Sequence, residues 1–264
     1  MPITCDIDFT PVSQEEFQKI DYRVSGLSFQ SQNELGGVLK EEAYRRVLIQ
    51  RLCADGFGAL DEVKINISHG TFSRNCFCDL VVDGKVVYEL KAVQAISGYH
   101  QEQLLHYLFL TGLRHGKIMN FRGQSVAGYY VSTHYTQAER RQVSWDFSDW
   151  RGASKDSGLI ALFQNLIEDW GTGLHLKLYE DALIYLSRGR LLRTEVAVTH
   201  LDLYLSSETW PVYDRERLFH LSSVTRHVSA YEKQLQKFLR LTNRTHLDWI
   251  NLNRRQITCK TLKN

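Results

Sequence analysis

Asp79, Glu89 and Lys91 are the residues of this chain whose types and spacing best fit chemistry. Glu89 and Lys91 stand two apart in an apolar run, so on a strand they share a face. Asp79 lies across Asp83-Gly84, a strong hairpin signal. Turn length decides whether it joins them. A two-residue turn would oppose Asp79 to Tyr88 and put Glu89 on the other face. A three-residue loop, Asp83-Gly84-Lys85, opposes Asp79 to Glu89, and Gly84 supplies the left-handed residue such a loop needs. The spacing therefore predicts that loop with its bulge, and one cluster of three side chains. Two carboxylates and a backbone carbonyl suit a hard divalent cation such as Mg²⁺, which takes one or two carboxylates, keeps waters and binds substrate phosphate. A neighbouring Lys positions a water and steadies developing negative charge. The plain alternative is a surface Glu–Lys pair on an edge strand.

An internal repeat favours the chemical reading. Residues 79–131 align with 210–262 at a constant offset of 131, and eleven positions are identical, among them Asp83/Asp214, Val93/Val224, Gln103/Gln234, Thr111/Thr242, His115/His246 and Asn120/Asn251. Upstream the offset becomes 135, pairing Asp21/Asp156, Gly36/Gly171 and Tyr44/Tyr179, so the second copy is four residues shorter between Tyr179 and Trp210. The scaffold persists while one set of charges goes: Asp79 faces Trp210, Glu89 faces His220, Lys91 faces Ser222 and Glu41 faces Leu176. Charges that a fold can lose together were there for chemistry. The period is far too long for a solenoid.

The elements that must hold these residues read as follows. Ser13 to Glu34 is a helix, with Ser13 and Glu16 as a capping-box signal. A second helix runs from about Val38 to Cys53, with Leu39, Ala43, Val47 and Leu48 as its stripe and Glu41 one turn before Tyr44. Strands follow around 63–67, 76–82 and 86–93, then a helix from Ser97 to Gly112 and strands at 117–121 and 127–132. The second copy replays this with helices near 158–169 and 174–188, strands near 192–204, 209–213 and 217–224, a helix near 227–242 and final strands. The expected division is an intact domain over 1–133, a linker over 134–155 and a second domain over 156–264.

Composition sets bounds. The chain has 264 residues and a net charge of +2. Residues 1–150 hold 15 Lys and Arg against 18 Asp and Glu, or −3, and residues 151–264 hold 17 against 12, or +5. The copy lacking the charge set is the basic one, which points weakly to a polyanionic partner. No apolar run approaches a membrane span, and the first ten residues lack a signal-peptide pattern. With five scattered cysteines, this points to the cytoplasm. No Ser nucleophile elbow and no phosphate-binding P-loop are present.

Asp79 followed by Glu89-Leu90-Lys91 resembles the D…(D/E)-x-K signature of the PD-(D/E)XK nuclease superfamily. Gln103-Leu104-Leu105-His106-Tyr107 resembles the Q-x-x-x-Y element of its RecB-like branch. Gly37…Glu41-Glu42-Ala43-Tyr44, Tyr88-Glu89-Leu90-Lys91-Ala92-Val93 and the Gln103 helix through Thr111-Gly112-Leu113 resemble the GxxExxY family of that superfamily. The likeness covers about 15–133, with a degenerate echo at 157–263. It departs in two places: Glu41 follows Gly37 by four residues instead of three, and Cys78 stands where Pro is usual.

The resemblance implies two tandem restriction-endonuclease-like α/β domains, each a mixed sheet flanked by helices. It implies Mg²⁺, with Mn²⁺ as a substitute, bound by Asp79, Glu89, the Leu90 carbonyl and Glu41. Lys91 would handle the nucleophilic water, and Gln103 and Tyr107 would brace the site or touch substrate. His100, just before Gln103, is a weaker candidate to face the metal. The expected protein is a nuclease acting on DNA, with the second copy a dead pseudo-dimer partner inside one chain. A non-catalytic nucleic-acid-binding or assembly protein is the alternative.

Overall fold

The computed structural model describes residues 2–151, 157–213 and 217–264. Asp156 and Asp214 of the repeat, and 152–155 of the expected linker, lie outside them. The chain divides into two compact units, Met1–Ser68 with Ser73–Gln137, and His69–Phe72 with Ala138–Asn264. Among the described residues no helix is long and apolar enough to cross a membrane.

The first unit opens with β1 (Ile3–Cys5), which the sequence pattern missed, then α1 (Gln14–Leu35) and α2 (Glu41–Ala54). Strands β2 (Ala59–His69), β3 (Phe72–Val82) and β4 (Val86–Lys91) lead into α3 (Gly98–Thr111), then β5 (His115–Asn120) and β6 (Ala127–Ser132). The six strands lie in chain order, and only β4 and β5 run parallel among the registers that bear on the site. A parallel neighbour needs a crossover, and α3 is that crossover.

Local sequence explains the helix ends. Ser13 Oγ accepts from Glu16 N at 3.2 Å and caps α1. Gly112, left-handed at φ 73°, ends α3. The α2 stripe differs from the sequence expectation: Tyr44, Leu48 and Leu52 are buried, while Leu39 is outside the helix and exposed. The register shifted by one because Tyr44 Oη donates to Gly36 O at 2.7 Å and accepts from Leu39 N at 3.1 Å, which fixes the face of the first turn. That face packs with Phe17, Ile20 and Val24 of α1 against Leu80, Val82, Tyr88 and Leu90 of the sheet. Each buried Leu contributes about 2 kcal/mol.

The second unit contains α4 (Gln137–Arg141) and β7 (Ser144–Asp149) within the stretch read as a linker, and β7 pairs parallel with the last strand. The remaining order is α5 (Ser157–Trp170), α6 (Leu176–Leu186), β8 (Leu191–His200), β9 (Leu203–Tyr213), β10 (Arg217–Ser222), α7 (Val228–Arg240), β11 (His246–Leu252) and β12 (Gln256–Lys263). Its sheet runs β7-β12-β11-β10-β9-β8, again with a parallel pair bridged by a helix, β10 and β11. The molecule is thus a mixed α/β fold of two six-stranded sheets flanked by helices, consistent with two tandem PD-(D/E)XK-like domains. One strand expected over 192–204 is two, because Leu201 and Asp202 both take positive φ (49° and 64°) and turn the chain without a glycine.

Repeat identities recur as repeat contacts. Tyr179 Oη donates to Gly171 O and accepts from Leu174 N, as Tyr44 does with Gly36 and Leu39. Asn120 and Asn251 each hold both the N–H and the C=O of one residue, Val93 and Val224. These side chains satisfy backbone groups where a strand leaves its sheet, a local duty that does not depend on the lost charges.

Candidate active site

The β3–β4 hairpin sets the site. Val82 pairs with Val86, Val81 with Val87 and Leu80 with Tyr88, so the next step opposes Asp79 to Glu89. Lys85 N donates to Val82 O at 2.9 Å, and both Asp83 (φ 53°) and Gly84 (φ 64°) are left-handed. The tight turn therefore spans Asp83-Gly84 alone, and Lys85 is the extra residue that shifts the register by one. Left-handed Asp83 is held by its own carboxylate, which accepts from Gly58 N at 2.7 Å.

Tyr88 and Leu90 point into the α1–α2 core, so Glu89 and Lys91 point to the α3 side. Glu89 is 0% exposed, Lys91 13%, Asp79 16% and Glu41 32%. Lys91 Nζ donates to Glu89 Oε1 at 2.5 Å and to the Leu90 carbonyl at 2.8 Å. It lies 3.5 Å from Asp79 Oδ2 and 3.6 Å from Glu41 Oε2. Asp79 Oδ2 also accepts from Leu90 N at 2.9 Å, which locks its rotamer. Glu41 is the first residue of α2, and its partner in the repeat, Leu176, is the first residue of α6. Three carboxylates, Asp79, Glu89 and Glu41, meet around the one Lys91 ammonium.

Electrostatically the cluster is short of positive charge. Burial, with the charges of Asp79 and Glu41 adding to it and Lys91 opposing, pushes the Glu89 carboxyl up to about 8. Burial raises Glu41 as well, Asp79 adds to this, and Lys91 and Arg45 pull it back. Burial alone would lower Lys91, yet Glu89, Asp79 and Glu41 outweigh it and raise its pKa. The ammonium is therefore charged at neutral pH and acts as a donor. Glu89 Oε2 is buried with no hydrogen-bond partner among the described residues. A buried carboxylate oxygen without a donor costs free energy until something positive meets it.

These residues fit a divalent metal. No group of three or more His, Cys, Asp or Glu side chains among the described residues is placed to hold a metal ion together, and an Mg²⁺-type site does not need three, since such an ion keeps waters and uses one or two carboxylates. The donors present are Asp79, the orphan oxygen of Glu89, the Leu90 carbonyl and, at the rim, Glu41.

Gln103 and Tyr107 lie one turn apart on α3, with Gln103 Nε2 donating to Tyr107 Oη at 3.4 Å. Burial drives the Tyr107 phenol upward, and the charges of Glu89 and Asp79 also raise it, so the ring sits within the field of the cluster. His100 does not join: its Nδ1 accepts from Ser97 N at 3.0 Å and caps α3. Two supporting residues were not picked from the sequence. Arg45, one turn after Glu41, acts on Glu41 and pairs with Glu62 at 2.8 Å; its i,i+4 spacing was the available signal. Asn120 anchors Val93, just past Lys91, and its survival as Asn251 was the clue.

At the matching positions of the second unit an aromatic cluster replaces the charges. The Trp210 ring stacks on Phe238, the counterpart of Tyr107, with centroids 4.4 Å apart, and lies 5.1 Å from His220. His220 Nε2 meets Tyr231 Oη at 2.7 Å, and burial pushes its pKa down to about 4, so the ring is neutral. Ser222 Oγ donates to Asn251 Oδ1 at 2.7 Å and accepts from Trp249 Nε1 at 2.8 Å.

Residues 18–130 match the family model of the PD-(D/E)XK nuclease superfamily. This stretch holds every residue of the charged cluster. Members of that superfamily are generally nucleases and typically use divalent metals. No curated protein and no solved structure matches the chain.

Proposed function

We propose that the first unit is a Mg²⁺-dependent nuclease that hydrolyses phosphodiester bonds of DNA. The observation that carries this is the buried, unpartnered Glu89 Oε2 beside Asp79 and the Leu90 carbonyl, with the superfamily match over the same residues. Asp79, Glu89, Leu90 and Glu41 would hold the ion, and Mn²⁺ would fit the same oxygens. When bound, a divalent ion polarises the phosphodiester and acidifies a nearby water.

The chain's own residues supply the rest. Leu90 N fixes the Asp79 carboxylate through the β3–β4 register. Charged Lys91 donates protons in hydrogen bonds, orients a water and stabilises the charge that builds on the phosphate oxygens. Tyr107 and Gln103 close the α3 side of the cluster and brace the substrate. Val93, held by Asn120, keeps the strand end that carries Lys91 in place.

The second unit, with Trp210, His220 and Ser222 in place of the charges, is a catalytically dead pseudo-dimer partner and supplies basic grip. One active site in a fused pair cuts one strand per encounter. Supercoiled plasmid incubated with Mg²⁺ tests this: the expected first product is the nicked circle. Linear product formed at the same rate as nicked circle would refute the single-site reading, and no product at all would refute the nuclease.

A further inference from the structure

Gly158 in α5 stands at the repeat position of Arg23 in α1. In the first unit Arg23 reaches the residue that closes α2, with Nε 3.1 Å from Asp55 Oδ2 and Nη2 2.5 Å from Oδ1. That ion pair seals the end of the α1–α2 pair. In the second unit the helix residue has no side chain, and α6 ends at Leu186, seven residues past Tyr179, where α2 runs ten past Tyr44 to Ala54. The shortened helix and the glycine leave a cavity of about 360 Å³.

The cavity combines two kinds of surface. Leu159, Leu186 and Tyr213 line it together with two exposed arginines, Arg188 and Arg190. The Arg190 Nη1 atom lies 3.4 Å from where a Cβ on Gly158 would be, so a cation now fills the place of the sealing pair. No carboxylate among the described residues pairs with either arginine, and Arg188 is held at φ 54°, followed by Gly189 at φ 85°. A non-glycine residue in that region costs about 1 kcal/mol. Two guanidiniums without a carboxylate partner among the described residues, beside apolar side chains, match a phosphate attached to a flat or weakly polar group, since Arg binds phosphate through paired N–H donors.

We infer that this cavity is a nucleic-acid backbone site: Arg188 and Arg190 hold a phosphodiester, and the attached sugar or base lies on Leu159, Leu186 and Tyr213. The inference rests on the nucleic-acid reading of the first unit and gives the basic second unit a specific point of grip. No residue of it belongs to the charged cluster.

The test is binding of a fluorescein-labelled single-stranded oligonucleotide to the full chain in chelator, so that no cutting intervenes, across a salt series. Two variants are compared with wild type. Arg188→Ala with Arg190→Ala removes both guanidiniums. Gly158→Glu places a carboxylate beside Arg190 and restores a pair of the Arg23–Asp55 kind. Both are expected to weaken binding by about tenfold, and the double variant to flatten the salt slope by about one to two counter-ions. Unchanged thermal midpoints exclude misfolding as the cause. Wild-type affinity and slope in both variants would overturn the inference and leave the nuclease reading intact. Absence of any oligonucleotide binding by wild type would overturn both.

Discussion

Lys91 Nζ donates to Glu89 Oε1 at 2.5 Å from two residues along the same strand, while the second oxygen of that carboxylate is buried without a partner. One ammonium thus serves half of a carboxylate and stands within 3.6 Å of two more, Asp79 and Glu41. A site with three carboxylates around one cation has room in its charge balance for a second.

The pH response follows from Glu89, whose carboxyl burial raises from 4.5 to about 8. Between those values the folded, metal-free protein keeps a proton that the unfolded chain has released. Its stability therefore falls as pH rises through that window and levels off above about 8. Mg²⁺ binds the ionised form, so its affinity is expected to tighten with pH up to about 8, by up to about tenfold per unit. Thermal shift with Mg²⁺ at pH 6, 7 and 8 measures this; a shift independent of pH would contradict it.

Above about pH 8, where Glu89 is ionised, Lys91→Ala leaves it buried without its cation, and a broken buried pair costs about 3 kcal/mol or more. Adding Glu89→Gln removes the stranded charge. In urea unfolding at pH 9 without metal, Lys91→Ala is expected to lose stability and the double variant to regain most of it. Equal losses would show that the pair is not energetically coupled.

The site's register was legible in the sequence because one glycine and one aspartate, Asp83-Gly84, sit where the strand pattern breaks. The expectation that Asp79 opposes Glu89 needed an extra residue in the hairpin, and Lys85 is that residue. The helix faces were less legible. Leu39 looked like part of an apolar stripe, but the Tyr44 hydroxyl bonds to Gly36 and Leu39 pull the chain out of helix before Glu41. Strands β1 and β7 were missed for another reason: each is six residues or fewer and is fixed by pairing with a distant strand, β2 or β12, which no local pattern records. The turn at Leu201-Asp202 carries no glycine to announce it. His100 drew notice by type, and only the structure shows its nitrogen committed to a helix cap.

Asn120 and Asn251 allow a comparison within one chain. Each makes two hydrogen bonds to a half-buried residue just past a strand end, so replacing either by Ala strands part-buried backbone groups at a cost of about 1–3 kcal/mol. Both variants are expected to lower the thermal midpoint. Only Asn120→Ala should also lower cleavage at a temperature where both are folded, because Val93 follows Lys91. Equal loss of cleavage in the two would count against confinement of the chemistry to the first unit.

Trp210 occupies the position of Asp79 but stacks on Phe238 and packs beside His220. Trp210→Ala is expected to cost about 2–3 kcal/mol through lost packing, while cleavage per folded molecule stays unchanged. A loss of cleavage beyond the loss of folded protein would give the second unit a share in the chemistry.

The central claim, that the Asp79–Glu89–Lys91 cluster cuts DNA, is tested most directly by cleavage of end-labelled single-stranded and duplex DNA in Mg²⁺, comparing wild type with Asp79→Ala and Lys91→Ala. Cutting by wild type that chelator abolishes, and that each substitution lowers by about a hundredfold or more, is the predicted result. No cutting by wild type, or cutting that both variants retain, would contradict it.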